Sequence, residues 1–258
     1  MIWITGDTHA DFSRLNRPLP MPKRYRPNRQ DYLIICGDFG GIWSDSPVQA
    51  SALNRLTRLP FTILFLDGSH ENYDMLKQFP VRDWNGGRIQ VIRKNVLHLL
   101  RGQVFTLEGK TFFTMGGAAC HDIQAGVLDP ADRAFDAMYR ELRSQDKFFR
   151  IKHYTWWEQE MPSEAEMEEG LRTLMAHDNR VDYILTHCAP TSLQRQIAAV
   201  LGNDTYPVNA LTEYLQRIFD QCSYSHWFCG HYHLPMDLSP TFHVLYESIC
   251  ALPASSGG

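Results

Sequence analysis

The feature that most constrains the fold is a series of short apolar runs, each of strand length and bounded by Gly, Asp or Pro. The runs occupy residues 2–5, 32–36, 61–66, 103–107, 111–115, 181–186, 226–229 and 242–246. Helical patterns lie between several of these runs in the first part of the chain, and the middle is rich in strand patterns. This alternation predicts a layered α/β fold.

Three segments carry helical patterns. Residues 47–59 place Ala50, Leu53 and Leu56 on one face, residues 163–176 open with a capping box, and residues 208–221 repeat apolar side chains at helical spacing. Residues from about 116 to 162 are polar and aromatic with weak periodicity, and we interpret them as a cap-like insertion. We expect one domain over residues 1–258, with a frayed end at 254–258.

Size and composition favour a folded protein with a sizeable core. The 258 residues have a mass of 29.8 kDa, and 44% are hydrophobic while 21% are charged. The net charge is −4, and Lys and Arg are scattered along the chain. Because no basic patch is visible, we expect no stable nucleic-acid partner.

The cysteines and the termini bear on location. None of the six cysteines forms a C-x-x-C pair, the first residues do not resemble a signal peptide, and no segment is long enough to span a bilayer. We therefore predict a cytoplasmic protein with free thiols and no membrane association. The sequence does not indicate an oligomeric state.

Acidic residues and histidines follow five of the apolar runs directly. The first loop contains Asp7 and His9 at alternate positions, which point to the same side of an extended backbone. The later loops contribute Asp38, His70, His187, and the pair His231 and His233. Any one of them has a structural explanation as a cap, a turn residue or a hydrogen-bonded histidine. Together they predict one shared site, because ligand sites of open α/β sheets lie at the carboxyl ends of strands.

The residue types in this set are typical of a metal centre. Two carboxylates and several imidazoles offer mixed oxygen and nitrogen donors, which suit Mn, Fe or Zn better than Ca. The donors outnumber the four that one tetrahedral ion takes, so we predict two divalent ions, Mn or Fe before Zn. A carboxylate can bridge two ions about 3.5–4 Å apart, and such a pair binds a phosphoryl group and lowers the pKa of a bound water.

The ordered motifs D-x-H, G-D, G-x-H-E, H and G-H-x-H resemble the calcineurin-like metallophosphoesterase superfamily from Asp7 to His233. The resemblance implies a four-layer α/β/β/α sandwich. It also implies that Asp7, His9 and His233 bind a first metal ion, that Asp38 bridges, that His187 and His231 bind a second ion, and that His70 contacts phosphate and protonates the leaving oxygen.

Two positions depart from the family pattern. Ser69 stands where the third motif has an Asn ligand of the second metal ion, and its side chain is shorter. We retain Ser69 as a candidate ligand and predict weaker occupancy of the second ion than with Ser69→Asn. Gly41 replaces the Asp of the Ser/Thr protein phosphatases, and no Arg follows it. The bacterial and phage-type metallophosphoesterases are therefore the closer likeness.

The resemblance implies hydrolysis of phosphate esters, with a hydroxide between the two metal ions as the nucleophile. The substrate would be small and phosphorylated, and a nucleotide is one candidate. The alternatives are a phosphodiesterase acting on nucleotides or cyclic nucleotides, and a catalytically weak metal- or phosphate-binding module. The residues that we expect to line the substrate pocket are Asn72, Tyr73, His121 and Arg133. We consider Arg150 and the aromatic residues Tyr154, Trp156 and Trp157 in the same role, and the alternative for the two tryptophans is that their burial anchors the insertion to the body.

Overall fold

A computed structural model describes residues 1–202 and 206–252, so the predicted frayed end lies outside the described residues. The strands are β1 (Ile2–Thr5), β2 (Tyr32–Ile35), β3 (Thr62–Phe65), β4 (Val81–Trp84), β5 (Gly87–Arg93), β6 (Val96–Leu99), β7 (Gln103–Leu107), β8 (Lys110–Met115), β9 (Val127–Leu128), β10 (Arg150–Ile151), β11 (Tyr183–Thr186), β12 (His226–Cys229), β13 (Met236–Ser239), β14 (Phe242–Val244) and β15 (Ile249–Ala251). The α-helices are α1 (Pro47–Leu56), α2 (Tyr73–Leu76), α3 (Phe135–Ser144), α4 (Glu164–Ala176), α5 (Thr191–Leu201) and α6 (Ala210–Gln221).

The described strands form two large mixed sheets. The first sheet has the order β15-β1-β2-β3-β6-β5-β4, and β1, β2, β3 and β6 run parallel. The second has the order β13-β14-β12-β11-β8-β7, and β8, β11, β12 and β14 run parallel. Each sheet therefore has a block of parallel strands whose carboxyl ends lie along one edge.

Side-chain alternation along the strands separates the hydrophobic core into three layers. In β1, Ile2 and Ile4 pack between the sheets with Phe105 and Phe228, whereas Trp3 points to the opposite face. That outer face packs against α1 through Leu53 and other residues. The outer face of the second sheet packs against α4, α5 and α6. The order is helix, sheet, sheet, helix, which confirms the predicted four-layer α/β/β/α sandwich.

All eight apolar runs contain strands, and the three helical patterns contain α1, α4 and α6. Strands β4, β5 and β6, which extend the first sheet, and helix α5 were not predicted from the sequence. Strand β4 is largely exposed, and β5 alternates buried with half-buried side chains, so neither reads as a continuous apolar run. Residues 85–86 make the turn between them.

The segment from about 116 to 162 lies beside the main sheets. It contains a two-stranded parallel sheet of β9 and β10, and helix α3, none of whose residues is buried. Its two ends are tied to the body and to each other, because Gly117 N–H donates to the Asp67 carbonyl and Ala118 N–H donates to the Glu160 carbonyl. That this segment acts as a cap stays a proposal. Among the described residues, we find no helix with the length and apolarity that a membrane crossing requires.

Candidate metal centre

The carboxyl ends of the parallel strands of both sheets meet at one place, and the predicted Asp and His residues lie there. The loops after β1, β2 and β3 come from the first sheet, and the loops after β11 and β12 come from the second. Three groups of donors lie with their ligand atoms within 4.8 Å of one another: Asp7 with His9 and His233, His9 with Asp38 and His70, and Asp7 with Asp38 and His187. The shared members make these groups one cluster.

Asp7 is fully buried at the centre of the first group. Its Oδ2 lies 3.1 Å from His233 Nε2 and 3.6 Å from His9 Nε2. The two imidazole Nε2 atoms are themselves 2.8 Å apart. The other carboxylate oxygen, Oδ1, accepts a hydrogen bond from the backbone N–H of His231 at 2.9 Å. Two imidazole nitrogens thus lie close to one carboxylate oxygen, at distances that a shared cation would accommodate.

Asp38 links the other two groups. Its Oδ1 lies 3.3 Å from His187 Nε2, and its Oδ2 lies 3.0 Å from His70 Nδ1 and 3.8 Å from His9 Nε2. The backbone N–H of His70 also donates to Asp38 Oδ1 at 2.8 Å. The position of Asp38 between His9 and His187 agrees with a bridging role, which stays a prediction.

Ser69, His231 and His121 lie at the margin of the cluster. The Ser69 hydroxyl is buried and lies 3.2 Å from His70 Nδ1, so it contacts the neighbouring imidazole. The His231 ring is buried 4.9 Å from that of His187 and 5.7 Å from that of His121, measured between ring centroids. Their roles as ligands or substrate contacts stay predictions.

Several of these residues have a backbone conformation that non-glycine residues rarely adopt. The φ angles of His9, Asp38, His231 and His233 are +43°, +46°, +73° and +51°. Such conformations are strained for residues with a Cβ atom, and they persist only where the surroundings enforce them. Their concentration in three loops of one cluster indicates that the loops are shaped to position these side chains.

Two glycines allow the loops to approach closely. Gly37 has a φ of +94°, and a Cβ atom there would lie 2.0 Å from His187 Nδ1. A Cβ atom at Gly68 would lie 2.1 Å from Asp38 Oδ1. Any larger residue at either position would displace a donor of the cluster.

The buried carboxylates dominate the electrostatics. Burial favours the neutral acid at Asp7, but the charge of His187 and the close imidazoles of His233 and His9 outweigh it and lower the Asp7 pKa. The same balance, led by His187, lowers the pKa of Asp38. Burial in turn lowers the pKa of His187, but Asp38 and Asp7 raise it to about 10. The carboxylates therefore draw positive charge into the centre.

Two buried polar atoms of the cluster without a hydrogen-bond partner indicate that the cluster suits metal ions. Asp7 Oδ2 and His187 Nε2 are buried and have no hydrogen-bond partner, although each faces an oppositely polarised group within 3.3 Å. Burial pushes the pKa of His231 well below its usual value, so its imidazole is neutral, as metal ligation requires. Two carboxylates and several imidazoles are a donor set for divalent transition metals.

The predicted substrate residues after His70 have structural partners. The Asn72 side chain caps α2 by accepting from Met75 N–H, and its amide donates to the Trp43 carbonyl at 2.9 Å. The Tyr73 hydroxyl donates to Asp67 Oδ2 and to the Gly68 carbonyl. Both side chains hold the loop that carries His70, and contact with substrate stays a prediction for each.

Of the two arginines considered as phosphate contacts, Arg150 lies at the cluster. Arg133 is exposed, and no hydrogen bond or ion pair of the described residues joins it to the cluster. Arg150, at the start of β10, lies with one guanidinium nitrogen 3.2 Å from His70 Nε2. The same nitrogen donates to Asp122 Oδ2 at 2.8 Å. Both arginines are candidates in the sequence, and their positions in the fold distinguish Arg150 from Arg133.

Gly41 lies against a buried ring. A Cβ atom at this position would lie 2.3 Å from Cε1 of Phe39, which is fully buried and stacks on Phe65. The aspartate of the protein-phosphatase subgroup therefore has no room here unless Phe39 moves. The orientation of His70 depends instead on Asp38, Ser69 and Arg150.

Comparison with known proteins identifies a family. A family model described as calcineurin-like phosphoesterase matches residues 1–235, which confirms the family that the motif order predicts. A solved structure of a phosphopantetheinyl hydrolase from Mycobacterium tuberculosis is 15% identical, with 95% of this chain and 89% of that chain covered and a TM-score of 0.43. The comparison with curated proteins found no match.

Proposed function

The chain belongs to the calcineurin-like phosphoesterase family, and from this premise we propose that it hydrolyses small phosphate esters with the help of two divalent metal ions. The observation that carries the proposal is the buried Asp7 and Asp38 pair. Four imidazoles surround it, and two of the inward-facing atoms have no hydrogen-bond partner. Burying two carboxylates so close together is costly, and bound cations would offset that cost.

The residues divide into two sets of ligands in this proposal. Asp7, His9 and His233 hold one ion, Asp38 is shared, and His187 and His231 hold the second, with Ser69 at its margin. When bound, the ions supply an acidified water as nucleophile and positive charge for the phosphoryl oxygens. Mn or Fe suits this donor set first and Zn next.

His70 is the proposed proton donor to the leaving oxygen. Asp38 contacts His70 at two points. Asp38 Oδ1 accepts from the His70 backbone N–H at 2.8 Å, and Asp38 Oδ2 lies 3.0 Å from His70 Nδ1. With Nδ1 directed to Asp38, Nε2 is the nitrogen available for proton transfer. Its ring is only partly buried, so a substrate can reach it.

Arg150 is the proposed phosphate-binding cation. Its guanidinium lies beside His70 Nε2, and Asp122 fixes its orientation from the other side. Arginine makes paired hydrogen bonds to phosphoryl oxygens, and only one of its nitrogens is used by these two partners. A phosphoryl group at this position would contact Arg150 and His70 together.

The test is turnover of matched aryl phosphates. We expect the Mn-loaded protein to hydrolyse 4-nitrophenyl phosphate or bis(4-nitrophenyl) phosphate, and the ratio of the two rates distinguishes a monoesterase from a diesterase. His70→Asn is the control, because it keeps the size of the side chain and removes the proton donor. If no metal among Mn, Fe and Zn raised the wild-type rate above that of His70→Asn, the catalytic proposal would fail and a metal-binding module would replace it.

We also propose a cytoplasmic location. All six cysteines are free, and most of them are buried. Free thiols are the usual state in a reducing compartment.

A further inference from the structure

A groove beside the metal centre has no role in the mechanism above. It has a volume of about 440 Å³, within the usual range of small-molecule sites. His9 and His70 form one wall, and the other wall is the loop after β2 together with one face of α1. We call it the Trp43 groove. Its apolar lining residues are Phe12, Trp43, Val48 and Ala52, and its charged lining residue away from the histidines is Arg55.

The Trp43 groove has several apolar lining residues, whereas the neighbouring metal centre consists of carboxylates and imidazoles. Val48, Ala52 and Arg55 are spaced at i, i+4 and i+7 of α1, so they lie on one face of the helix. Val48 is 78% exposed, and Trp43 is half-buried. Exposed apolar residues that form a concave surface mark binding sites. No carboxylate is among the residues that line the groove.

The wall that carries Trp43 is held in place by polar contacts. Gln49 Oε1 accepts from the backbone N–H of Trp43 at 2.6 Å and of Ser44 at 2.8 Å. Asn72 donates to the Trp43 carbonyl at 2.9 Å, which links the groove to the loop that carries His70. The Trp43 ring also packs at 81° against Trp157, which is almost fully buried. The groove is therefore preformed, which lowers the entropy cost of binding.

We infer that the Trp43 groove binds the leaving group of the substrate, and that this leaving group carries a flat, largely apolar ring system, as an aryl alcohol or a nucleoside does. The inference rests on the proposed function in one respect, that the leaving oxygen lies at His70. The group attached to that oxygen must then occupy space that His70 lines. Aromatic side chains such as Trp43 bind flat rings by stacking and by burial of apolar area.

A second cavity offers a rival location. It has a volume of about 430 Å³ and lies behind Arg150, where Tyr139, Arg143 and Phe149 line it. Its lining includes Arg150 and Asp122 but no histidine of the metal centre. A leaving group bound there would be separated from His70 by the guanidinium of Arg150. Tyr139→Ala is therefore the matched control for Trp43→Ala.

The experiment measures kcat and KM of the Mn-loaded protein for three monoesters: phenyl phosphate, adenosine 5′-phosphate and glycerol 1-phosphate. We expect Trp43→Ala to raise KM about 10-fold or more for at least one of the two ring-bearing esters and less than about 2-fold for the glycerol ester. The ester affected shows whether the ring is an aryl group or a nucleoside. We expect Trp43→Phe, which keeps a ring, to restore most of the affinity, and Tyr139→Ala to match the wild type.

The inference is overturned if Trp43→Ala leaves KM unchanged for both ring-bearing esters, if all three esters respond alike, or if Tyr139→Ala has the larger effect. Failure of the groove inference and failure of the proposed enzyme function can be distinguished. Calorimetry of adenosine and of phenol measures binding to the groove without any need for turnover. Trp43-dependent binding of either alcohol by a protein that hydrolyses no ester would support the groove and refute the enzyme. Hydrolysis of glycerol 1-phosphate with no dependence on Trp43 for any ring would support the enzyme and refute the groove.

Discussion

Two clusters of buried carboxylates lie close together in this protein, and they differ in how their charge is compensated. One is the metal centre around Asp7 and Asp38. The other, the Asp67 cluster, lies at the end of β3, where Asp67 Oδ1 faces His98 Nε2 at 3.0 Å. Asp67 Oδ2 accepts from Arg101 Nε at 2.7 Å and from the Tyr73 hydroxyl at 2.9 Å. Both oxygens of Asp67 thus have partners, whereas Asp7 Oδ2 has none.

The difference separates a structural site from the proposed metal site. Burial raises the pKa of Asp67, but the charge of Arg101 and the contact with His98 lower it below its usual value without any external cation. The Asp67 backbone carbonyl also accepts from Gly117 N–H, and the Gly68 carbonyl accepts from Tyr73. The Asp67 cluster therefore fixes the loop that carries His70. The proposed metal centre, in contrast, leaves Asp7 Oδ2 without a hydrogen-bond partner, as a site for an ion requires.

The largest expected effect comes from comparing the histidines of the two clusters. We expect His70→Asn to lower kcat by about 10²- to 10⁴-fold, because it removes the proposed proton donor. The free energy of unfolding should change little, since His70 is partly exposed. Steady-state kinetics and urea unfolding measure the two quantities.

His98→Asn is the matched variant in the Asp67 cluster. We expect the opposite result, a lower free energy of unfolding with kcat reduced far less than in His70→Asn. Equal losses of kcat in the two variants would mean that the clusters do not have separate roles.

The second-largest expected effect is the loss of stability when the buried ion pair of Arg101 and Asp67 is broken. Both Arg101 and Asp67 are more than 90% buried, so Arg101→Met leaves an uncompensated carboxylate. We expect the free energy of unfolding to fall by about 3–5 kcal/mol, as on removing one partner of a buried pair. Adding Asp67→Asn to Arg101→Met should recover part of the loss. If Mn rescued Arg101→Met to the wild-type value, Asp67 would itself belong to the metal site.

The smallest expected effect is that the contribution of Asp67 to the free energy of unfolding decreases at acid pH. The folded-state pKa of Asp67 lies below its usual value of 3.8, so its ionised form stabilises the folded state above about pH 4. This contribution is lost as the pH falls through the folded-state pKa. We expect the gap in unfolding free energy between metal-free wild type and Asp67→Asn to narrow below about pH 4. A gap that stays constant from pH 7 to pH 3 would contradict the assignment.

The fold was predictable where strands are buried on both faces. Strands β1, β2 and β3 read as continuous apolar runs because each lies in the interior of a sheet. Strands β9 and β10 have two residues each, too few for any periodicity. Helix α5 was missed although Gly202, with a φ of +68°, is a typical helix stop. The glycine that ends the helix is visible in the sequence, but no capping residue marks where the helix begins.

The site was predictable to the extent that its residues follow strands. Asp7, Asp38 and His187 each come directly after a central strand, so the topology alone brings them together. Arg150 lies in a two-residue strand and Trp43 in a loop, so neither segment has a periodic pattern that would tell which arginine or tryptophan faces the centre. Their positions depend on contacts between residues far apart in the chain, such as that between Arg150 and His70.

The central claim is that the unsatisfied Asp7 and Asp38 pair binds divalent cations, and metal titration tests it most directly. Chelator-treated protein would be titrated with Mn²⁺ by calorimetry, with elemental analysis of the dialysed product. The account predicts two ions per chain for the wild type and for Asp67→Asn, and at most one for Asp38→Asn. A wild-type protein that binds no ion, or an Asp38→Asn variant with wild-type stoichiometry and affinity, would contradict it.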